Sequence, residues 1–214
     1  MRPCHQLGKL GRAAEGRLSR LRGVAAMLSM PADASADRSS AWLAVESLNL
    51  WAGFVRSYYL SGAIRSRTRS GSPVFFVAVT FPDARAAIKH AVLQAGRAIK
   101  KPAPSRIDEP PWHNKRVVLP LFANVGASNL AQIQAAFSIP ATFMDYLPAV
   151  RNFYAHRCDE TYAKAAGVAV KLGLSTIPRL RPTEIMCSAM PTRPQNVITD
   201  WLDEMTAVVS HMCA

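Results

Sequence analysis

The sequence lacks the features that mark membrane and secreted proteins. No apolar run in its 214 residues approaches the roughly 20 residues that a membrane-spanning helix needs. The N-terminus also has no continuous apolar segment of the kind that directs secretion. We therefore expect a cytoplasmic location and no association with a membrane.

Cysteine is scarce and scattered. The chain has no Cys-x-x-Cys pair and no Cys/His cluster with the spacing of zinc ligands. His156 and Cys158 are two residues apart, which on a helix places them on different faces, so a shared metal ion is not expected. The cysteines are predicted to be reduced thiols, and we expect neither a metal nor a cofactor. They are Cys4, Cys158, Cys187 and Cys213.

Acidic residues are few beside basic ones. The chain has 26 Lys and Arg against 14 Asp and Glu, a net charge of +12 at pH 7. Such a balance favours a polyanionic partner, most often nucleic acid and next an anionic membrane surface. Half of the residues are hydrophobic and 19% are charged, which is typical of a globular protein with one sizeable core.

The chain has no internal repeat and no linker long enough to separate two full domains. We predict a basic N-terminal extension over residues 1–32 and a single helical domain over 33–214. Leucines recur on one helical face of the extension, and Glu15 is its sole acidic residue up to position 31. It is interpreted as a nucleic-acid-binding or targeting segment, as a helix appended to the domain, or as an over-long translation start with Met27 or Met30 nearer the true one. We favour the last two. The leucines are Leu7, Leu10, Leu18, Leu21 and Leu28.

Apolar periodicity and capping residues predict a mainly α fold, a compact bundle of four to five helices with at most a minor two-strand element. Residues 74–81 are apolar and β-branched between two prolines and are predicted to be extended, with 117–121 as the pairing candidate. Pro148 indicates a kink or a break in one helix. The helices are predicted over 33–65, 83–101, 129–139, from 141 or 142 to about 173, and 193–212, with a helical turn near Glu184.

The first long helix carries polar residues on one stripe of an otherwise apolar surface. Glu46, Asn49, Gly53 and Arg56 recur at spacings of three, four and three. Polar groups on a buried helix are costly unless they are paired or face a wet cleft. The stripe therefore predicts either an internal Glu–Arg salt bridge or the lining of a cleft.

The segment 151–156, Arg-Asn-Phe-Tyr-Ala-His, carries the residues best suited to chemistry. On a helix Asn152 and His156 share a face, and Arg151 lies about 100° away with a long side chain. Histidine can remove the proton of a ribose 2′-hydroxyl, while arginine and asparagine can hold and stabilise the phosphate. One imidazole cannot easily serve both sides of the phosphorus, so a symmetric dimer would complete the site. An isolated Arg-x4-His on a helix also arises by chance.

This segment, together with the preceding polar-striped helix and the all-helical layout, resembles the HEPN superfamily. Arg151, Asn152 and His156 match the Arg-polar-x3-His pattern of its ribonuclease branch, and Glu46 and Asn49 resemble polar helix positions that some members aim at the site. The resemblance covers about residues 35 to 172 and extends less clearly to the last helix.

The resemblance implies a homodimeric, metal-independent endoribonuclease acting on RNA, in a toxin–antitoxin or phage-defence setting, with an antitoxin or other regulatory protein as a further partner. Its catalytic residues would be Arg151, Asn152 and His156, with Glu46, Asn49, Arg56 and Tyr154 in support. Residues 1–31, 74–81 and 175–194 lie outside a minimal HEPN bundle.

Two alternatives stay open. One is a non-catalytic HEPN-type module that binds RNA, a nucleotide or a partner protein. The other is a helical interaction protein in which Glu46, Arg56, Arg151 and His156 form a buried polar network that fixes helix packing.

Overall fold

A computed structural model describes residues 1–99, 104–191 and 193–214. These residues form nine α-helices and one sheet of two short antiparallel strands, which confirms the predicted mainly α fold with a minor strand element. The helices outnumber the four to five that were predicted. They are α1 (Leu7–Ala25), α2 (Ala34–Ala63), α3 (Ala84–Gln94), α4 (Lys115–Asn124), α5 (Leu130–Ser138), α6 (Phe143–His156), α7 (Asp159–Lys171), α8 (Pro182–Cys187) and α9 (Val197–Cys213). The strands are β1 (Ser66–Arg67) and β2 (Pro73–Val74).

The chain divides into two units that do not follow the predicted division at residue 32. Unit 1 comprises Met1–Glu15, Leu50–Ile139 and Val208–Ala214, and unit 2 comprises Gly16–Asn49 and Pro140–Ala207. Helices α1, α2 and α9 contribute residues to both units. Residue 32 lies within unit 2.

The leucine stripe of the N-terminal segment does form a helix with a buried apolar face. Leu7 and Leu10 are 0% and 3% exposed in unit 1, and Leu18 is 1% exposed in unit 2. Burial of a leucine side chain contributes about 1.5–3 kcal/mol, so these residues hold α1 in the cores rather than leaving it as an appendage.

Aromatic side chains fill the core of unit 1. The rings of Tyr59 and Phe122 lie 5.6 Å apart, and those of Tyr59 and Phe76 lie 5.0 Å apart. Tyr58 is buried and donates its hydroxyl to the carbonyl of Met212 at 2.7 Å, while Asn129 donates to the same hydroxyl at 2.7 Å. These contacts bring α2, α4, α5 and the end of α9 together within the unit.

The predicted pairing of residues 74–81 with 117–121 is wrong. Residues 117–121 lie in α4, which accommodates Pro120 in its interior, and of the extended segment Val74 alone belongs to a regular strand. Val77 and Ala78 instead donate backbone hydrogen bonds to Gly126 and Val125, in the turn that follows α4. A short apolar run suits a buried helical face as well as a strand, and here the helix prevails.

In unit 2 the predicted single helix from residue 141 or 142 to about 173 is two helices. α6 ends at His156, Arg157 adopts the left-handed conformation (φ 44°, ψ 45°), and α7 begins at Asp159. Pro148 lies within α6 and does not end it. The candidate segment 151–156 therefore forms the last two turns of a helix rather than its middle.

The other predicted helices are confirmed with shorter ends. α3 is capped by Asp83, whose side chain accepts from the Ala86 backbone N–H, but it ends at Gln94 instead of continuing to residue 101. Residues 100 and 101 of that prediction lie outside the described residues. The helical turn expected near Glu184 is α8, and the last helix begins at Val197 rather than residue 193.

Candidate functional site

Arg151, Asn152 and His156 lie on the C-terminal half of α6, in unit 2. Asn152 and His156 are exposed one helical turn apart, and Arg151 is half-buried. Arg151 Nη1 donates to Asn152 Oδ1 over 3.3 Å. His156 ends the helix, and within the described part of the chain its imidazole makes no hydrogen bond or ion pair. The helix thus presents an amide and an unengaged imidazole on one face, with a guanidinium bound to the amide.

The end of α6 is fixed by the residue after His156. The backbone N–H of Arg157 donates to the Phe153 carbonyl over 2.7 Å, and its guanidinium Nη2 reaches Asp37 Oδ2 at 3.1 Å. The same guanidinium stands 5.7 Å from the centre of the Tyr154 ring. These contacts tie the turn that follows His156 to the start of α2 within unit 2.

Tyr154 faces the interior of unit 2, away from the exposed face of α6. Its hydroxyl is 2.9 Å from Thr183 Oγ1, and Thr183 donates to Asp37 Oδ1 at 2.6 Å, so Tyr154 is the donor to Thr183. Burial raises the pKa of Tyr154 to about 12. Burial also acts to raise the pKa of Asp37, but the hydrogen bonds from Thr183 and Arg157 outweigh it and hold that pKa below its ordinary value. Tyr154 therefore anchors α6 through a neutral hydroxyl.

Glu46 and Asn49 are exposed on the part of α2 that belongs to unit 2. Neither makes a hydrogen bond or an ion pair within the described residues, so the helix is not buried all round at this point. Whether they support a reaction at α6 stays a prediction.

Arg56 belongs to unit 1 and is engaged there by a partner that the polar stripe did not indicate. Its Nε and Nη2 donate to the two carboxylate oxygens of Glu109 at 2.5 and 2.8 Å, and Trp112 Nε1 donates to Glu109 at 2.8 Å. The side chain of Glu109 is 3% exposed. The salt bridge expected between Glu46 and Arg56 is absent, because Arg56 pairs with Glu109, 53 residues away. The buried network of Glu46, Arg56, Arg151 and His156 is also wrong, since Glu46 and His156 are exposed.

The positive charge is divided very unequally between the two units. The sequence ranges of unit 1 contain 15 Lys and Arg against 4 Asp and Glu, a balance of +11. Those of unit 2 contain 11 against 10, a balance of +1. The charge that favours a nucleic-acid partner therefore lies mainly on the unit that does not carry Arg151, Asn152 and His156.

Sequence reasoning missed a groove of about 980 Å³ in unit 2. Arg22, Leu28, Cys187, Gln195 and Thr199 are among its lining residues, which come from segments far apart in the sequence. Its lining includes none of Arg151, Asn152 and His156. No short motif announces such a groove, since its walls meet only in the folded chain.

The described residues contain neither a cluster of metal-binding side chains nor a helix that could cross a membrane. They contain no group of three or more His, Cys, Asp or Glu side chains placed to share a metal ion. No helix among them combines the length and the apolar character needed to cross a membrane.

Cys158, two residues after His156, is exposed, and hydrogen bonds from the side chain and backbone of Thr161 lower its pKa.

No protein-family model, curated protein or solved structure matches the chain. The resemblance to the HEPN superfamily therefore rests on Arg151, Asn152 and His156, on the polar positions of α2 and on the helical layout.

Proposed function

We propose that the protein is a metal-independent endoribonuclease of HEPN type that acts in the cytoplasm as a homodimer. The observation that carries the proposal is the face of α6 on which Asn152 and the exposed, unengaged imidazole of His156 lie one turn apart, with Arg151 bound to Asn152. A structural histidine is normally buried or hydrogen-bonded, whereas a general base must be accessible to its substrate.

Each of the three side chains has a role in this reaction. His156 removes the proton from a ribose 2′-hydroxyl, whose oxygen attacks the adjacent phosphorus. Arg151 stabilises the charge that develops on the phosphate oxygens, and Asn152 donates to one of them. The attack forms a 2′,3′-cyclic phosphate, and the 5′-oxygen leaves with a proton from an acid.

The acid must come from outside this face of α6. A second chain related by a two-fold axis would bring another His156 and another Arg151 to the same phosphate, so that one imidazole takes a proton and the other gives one. The second Arg151 would also add a cation to a unit whose sequence ranges carry a balance of only +1.

The proposal is tested by incubating purified protein with RNA in EDTA. We expect cleavage that leaves cyclic phosphate ends and that falls by about 10²–10⁴-fold in His156→Ala, the usual contribution of a general acid or base. Arg151→Ala should lose a comparable factor. His211→Ala is the matched control, since His211 is also exposed but lies in unit 1, and it should cleave like the wild type.

Two results would reject the proposal. One is a dimeric wild-type protein that cleaves no RNA. The other is a His156→Ala variant that cleaves as fast as the wild type. Size-exclusion chromatography with light scattering establishes the oligomeric state in the same buffers.

The second candidate is a HEPN-type module that binds RNA, a nucleotide or a partner protein without cleaving. It is favoured by one observation: Arg151, Asn152 and His156 are absent from the lining of the 980 Å³ groove of their own unit. RNA binding without cleavage, unchanged in His156→Ala, would support it.

We place the ribonuclease in a toxin–antitoxin or phage-defence setting, where an antitoxin or another regulatory protein would hold it inactive. Expression of the wild type alone should then arrest growth of a bacterial host, and expression of His156→Ala should not. Equal arrest by both proteins would remove the link between toxicity and the α6 site.

A further inference from the structure

Five of the fifteen basic residues of unit 1 lie where the β1–β2 hairpin meets the start of α1. Arg65, Arg67 and Arg69 come from the hairpin and its approach, and Lys9 and Arg12 come from α1. We call these five residues the basic hairpin patch. All five are exposed and all belong to unit 1.

The alternation of an extended chain builds the hairpin side of the patch. Ser66 and Thr68 are 2% and 7% exposed, whereas Arg65, Arg67 and Arg69 between and beside them are exposed. Side chains of an extended segment alternate between two faces, so burial of Ser66 and Thr68 turns Arg67 outward. Arg65, which is in the left-handed conformation (φ 57°), and Arg69, which lies in the turn after β1, are exposed on either side of it.

Backbone contacts hold this hairpin against the start of α1. Arg67 donates its N–H to the carbonyl of His5 at 2.9 Å, and Gln6 pairs with Arg67 as an isolated bridge. Gly8 lies against Arg69, since a Cβ built there would be in ordinary van der Waals contact with the Arg69 Cα, at 3.5 Å. Lys9 and Arg12 are therefore carried on the helix that packs against the arginine-bearing hairpin.

Little acidic charge offsets the patch. Glu15 pairs with Arg69 at 3.1 Å. Within the described residues Arg65, Lys9 and Arg12 have no acidic partner, and Arg67 makes one side-chain hydrogen bond, to the Gly71 carbonyl. Four like charges held close together without carboxylates favour the binding of an anion with several charges.

We propose that the basic hairpin patch binds the phosphate backbone of RNA, as a surface separate from the α6 face. Guanidinium groups match phosphate oxygens in a bidentate geometry, and the exposed hydroxyls of Ser70 and Ser72 lie in the same hairpin turn as further donors. Contacts to phosphate carry no sequence information, so binding is largely independent of sequence.

The apolar surface of unit 1 favours RNA over an anionic membrane. Peripheral membrane segments combine basic residues with large apolar side chains that enter the bilayer interface. The exposed large apolar residues of unit 1 are Val77, Leu93 and Ile107, none of which belongs to residues 5–12 or 65–72.

Binding is measured by fluorescence anisotropy of a labelled single-stranded RNA of mixed sequence. The full chain carries His156→Ala, so that the result does not depend on the proposed cleavage. The patch variant adds Arg12→Gln, Arg65→Gln and Arg67→Gln and leaves the Arg69–Glu15 pair intact. The control variant instead adds Arg20→Gln, Arg38→Gln and Arg179→Gln, which removes the same charge from exposed, unpaired arginines of unit 2.

We expect the patch variant to bind RNA about 100-fold more weakly than the parent at ~0.1 M salt. The negative slope of log K against log salt should become shallower by about 2, because three phosphate contacts with a single strand are lost. The control should change the affinity less than about threefold, because its three arginines do not belong to the patch and make none of the proposed phosphate contacts. A third variant with lysine at the same three patch positions keeps the charge but not the bidentate geometry, and it should retain most of the binding.

Four results would overturn the proposal: equal losses in the patch and control variants, a loss in the lysine variant as large as in the glutamine variant, no binding of RNA by the parent, or binding of phosphatidylserine vesicles in its place. The lysine variant keeps the test decisive even where the glutamine variant unfolds. Loss of RNA cleavage in His156→Ala with retained binding would separate this surface from the α6 face.

Discussion

Removal of the Glu204 carboxylate should destabilise the helix that carries the candidate site. Glu204 belongs to α9 and is 7% exposed, and it lies at the N-terminus of α6 within unit 2. Its Oε2 accepts from the Phe143 backbone N–H at 3.0 Å, and both of its oxygens lie 3.2 Å from the Thr142 hydroxyl. The first backbone N–H groups of a helix have no partner within the helix, so Glu204 provides one from outside.

The size of the effect follows from the groups left without an acceptor. Phe143 is fully buried, and a buried donor that loses its acceptor costs about 1–3 kcal/mol. With about 1 kcal/mol more for the half-buried Thr142 hydroxyl, Glu204→Ala should lower the free energy of unfolding by about 2–4 kcal/mol. Glu204→Gln keeps an acceptor in the same place and loses only the charge that attracts the partly exposed Arg193 at 3.3 Å, so it should cost less than about 1 kcal/mol.

The two variants also differ in their pH dependence. Burial raises the pKa of Glu204 above its ordinary value of 4.5. The ionised form is therefore less favourable in the folded state, and the stability this group contributes below pH 4.5 is lost as the pH rises through its folded pKa. Glutamine does not ionise, so Glu204→Gln should gain stability relative to the wild type across that rise.

Urea denaturation followed by circular dichroism, at pH values from below 4.5 to neutral, measures both effects. The hydrogen-bond reasoning would be refuted if Glu204→Ala were as stable as Glu204→Gln at neutral pH. The pH reasoning would be refuted if the difference between the wild type and Glu204→Gln stayed constant over the whole range.

Three further substitutions test the contacts around α6 and in unit 1. Tyr154→Phe should lower the free energy of unfolding by about 1 kcal/mol, because it removes the hydrogen bond to Thr183. RNA cleavage should stay unchanged. A loss of cleavage at unchanged stability would show that the hydroxyl supports the reaction instead. Arg157→Gly should be more stable than Arg157→Ala by about 1 kcal/mol in urea denaturation, because both lose the contact with Asp37 but glycine alone accepts φ 44° without strain. Arg56→Met should cost about 3 kcal/mol, because the buried Glu109 carboxylate would keep only Trp112 and the exposed Arg106, 3.9 Å away, as partners. Adding Glu109→Met should restore part of that stability, and a further loss in the double variant would contradict this.

Local pattern predicted much of the helical content. The leucine stripe of α1, the long apolar run of α2 and the core face of α3 all formed helices with those faces buried, because apolar periodicity reports directly on which side of a helix packs. Asp83 also caps α3 as expected, since a cap depends on a contact between residues three apart.

The errors arose where distant contacts decide the structure. Nothing in residues 141–173 requires a break after His156, and the left-handed turn at Arg157 is accompanied by an ion pair with Asp37, 120 residues earlier. One of the two interpretations of the polar stripe paired Arg56 with Glu46 on its own helix, but Arg56 binds Glu109, which the sequence offers no local reason to choose. Helix periodicity identifies a polar stripe but carries no information about the partner that a folded chain brings to it.

The division of charge separates the basic surface of the protein from the α6 face. The +12 of the whole chain and the Arg-x4-His segment appear in the sequence as two arguments for one site, but +11 of that charge belongs to unit 1 and the segment belongs to unit 2. The charge therefore supports binding by the basic hairpin patch and adds little to the case for catalysis at α6. That case rests on the exposure of His156 and on its geometry with Asn152 and Arg151. The +1 balance of unit 2 adds no argument for phosphate binding at α6, and the second copy of the chain that we propose would supply the missing acid and a second Arg151.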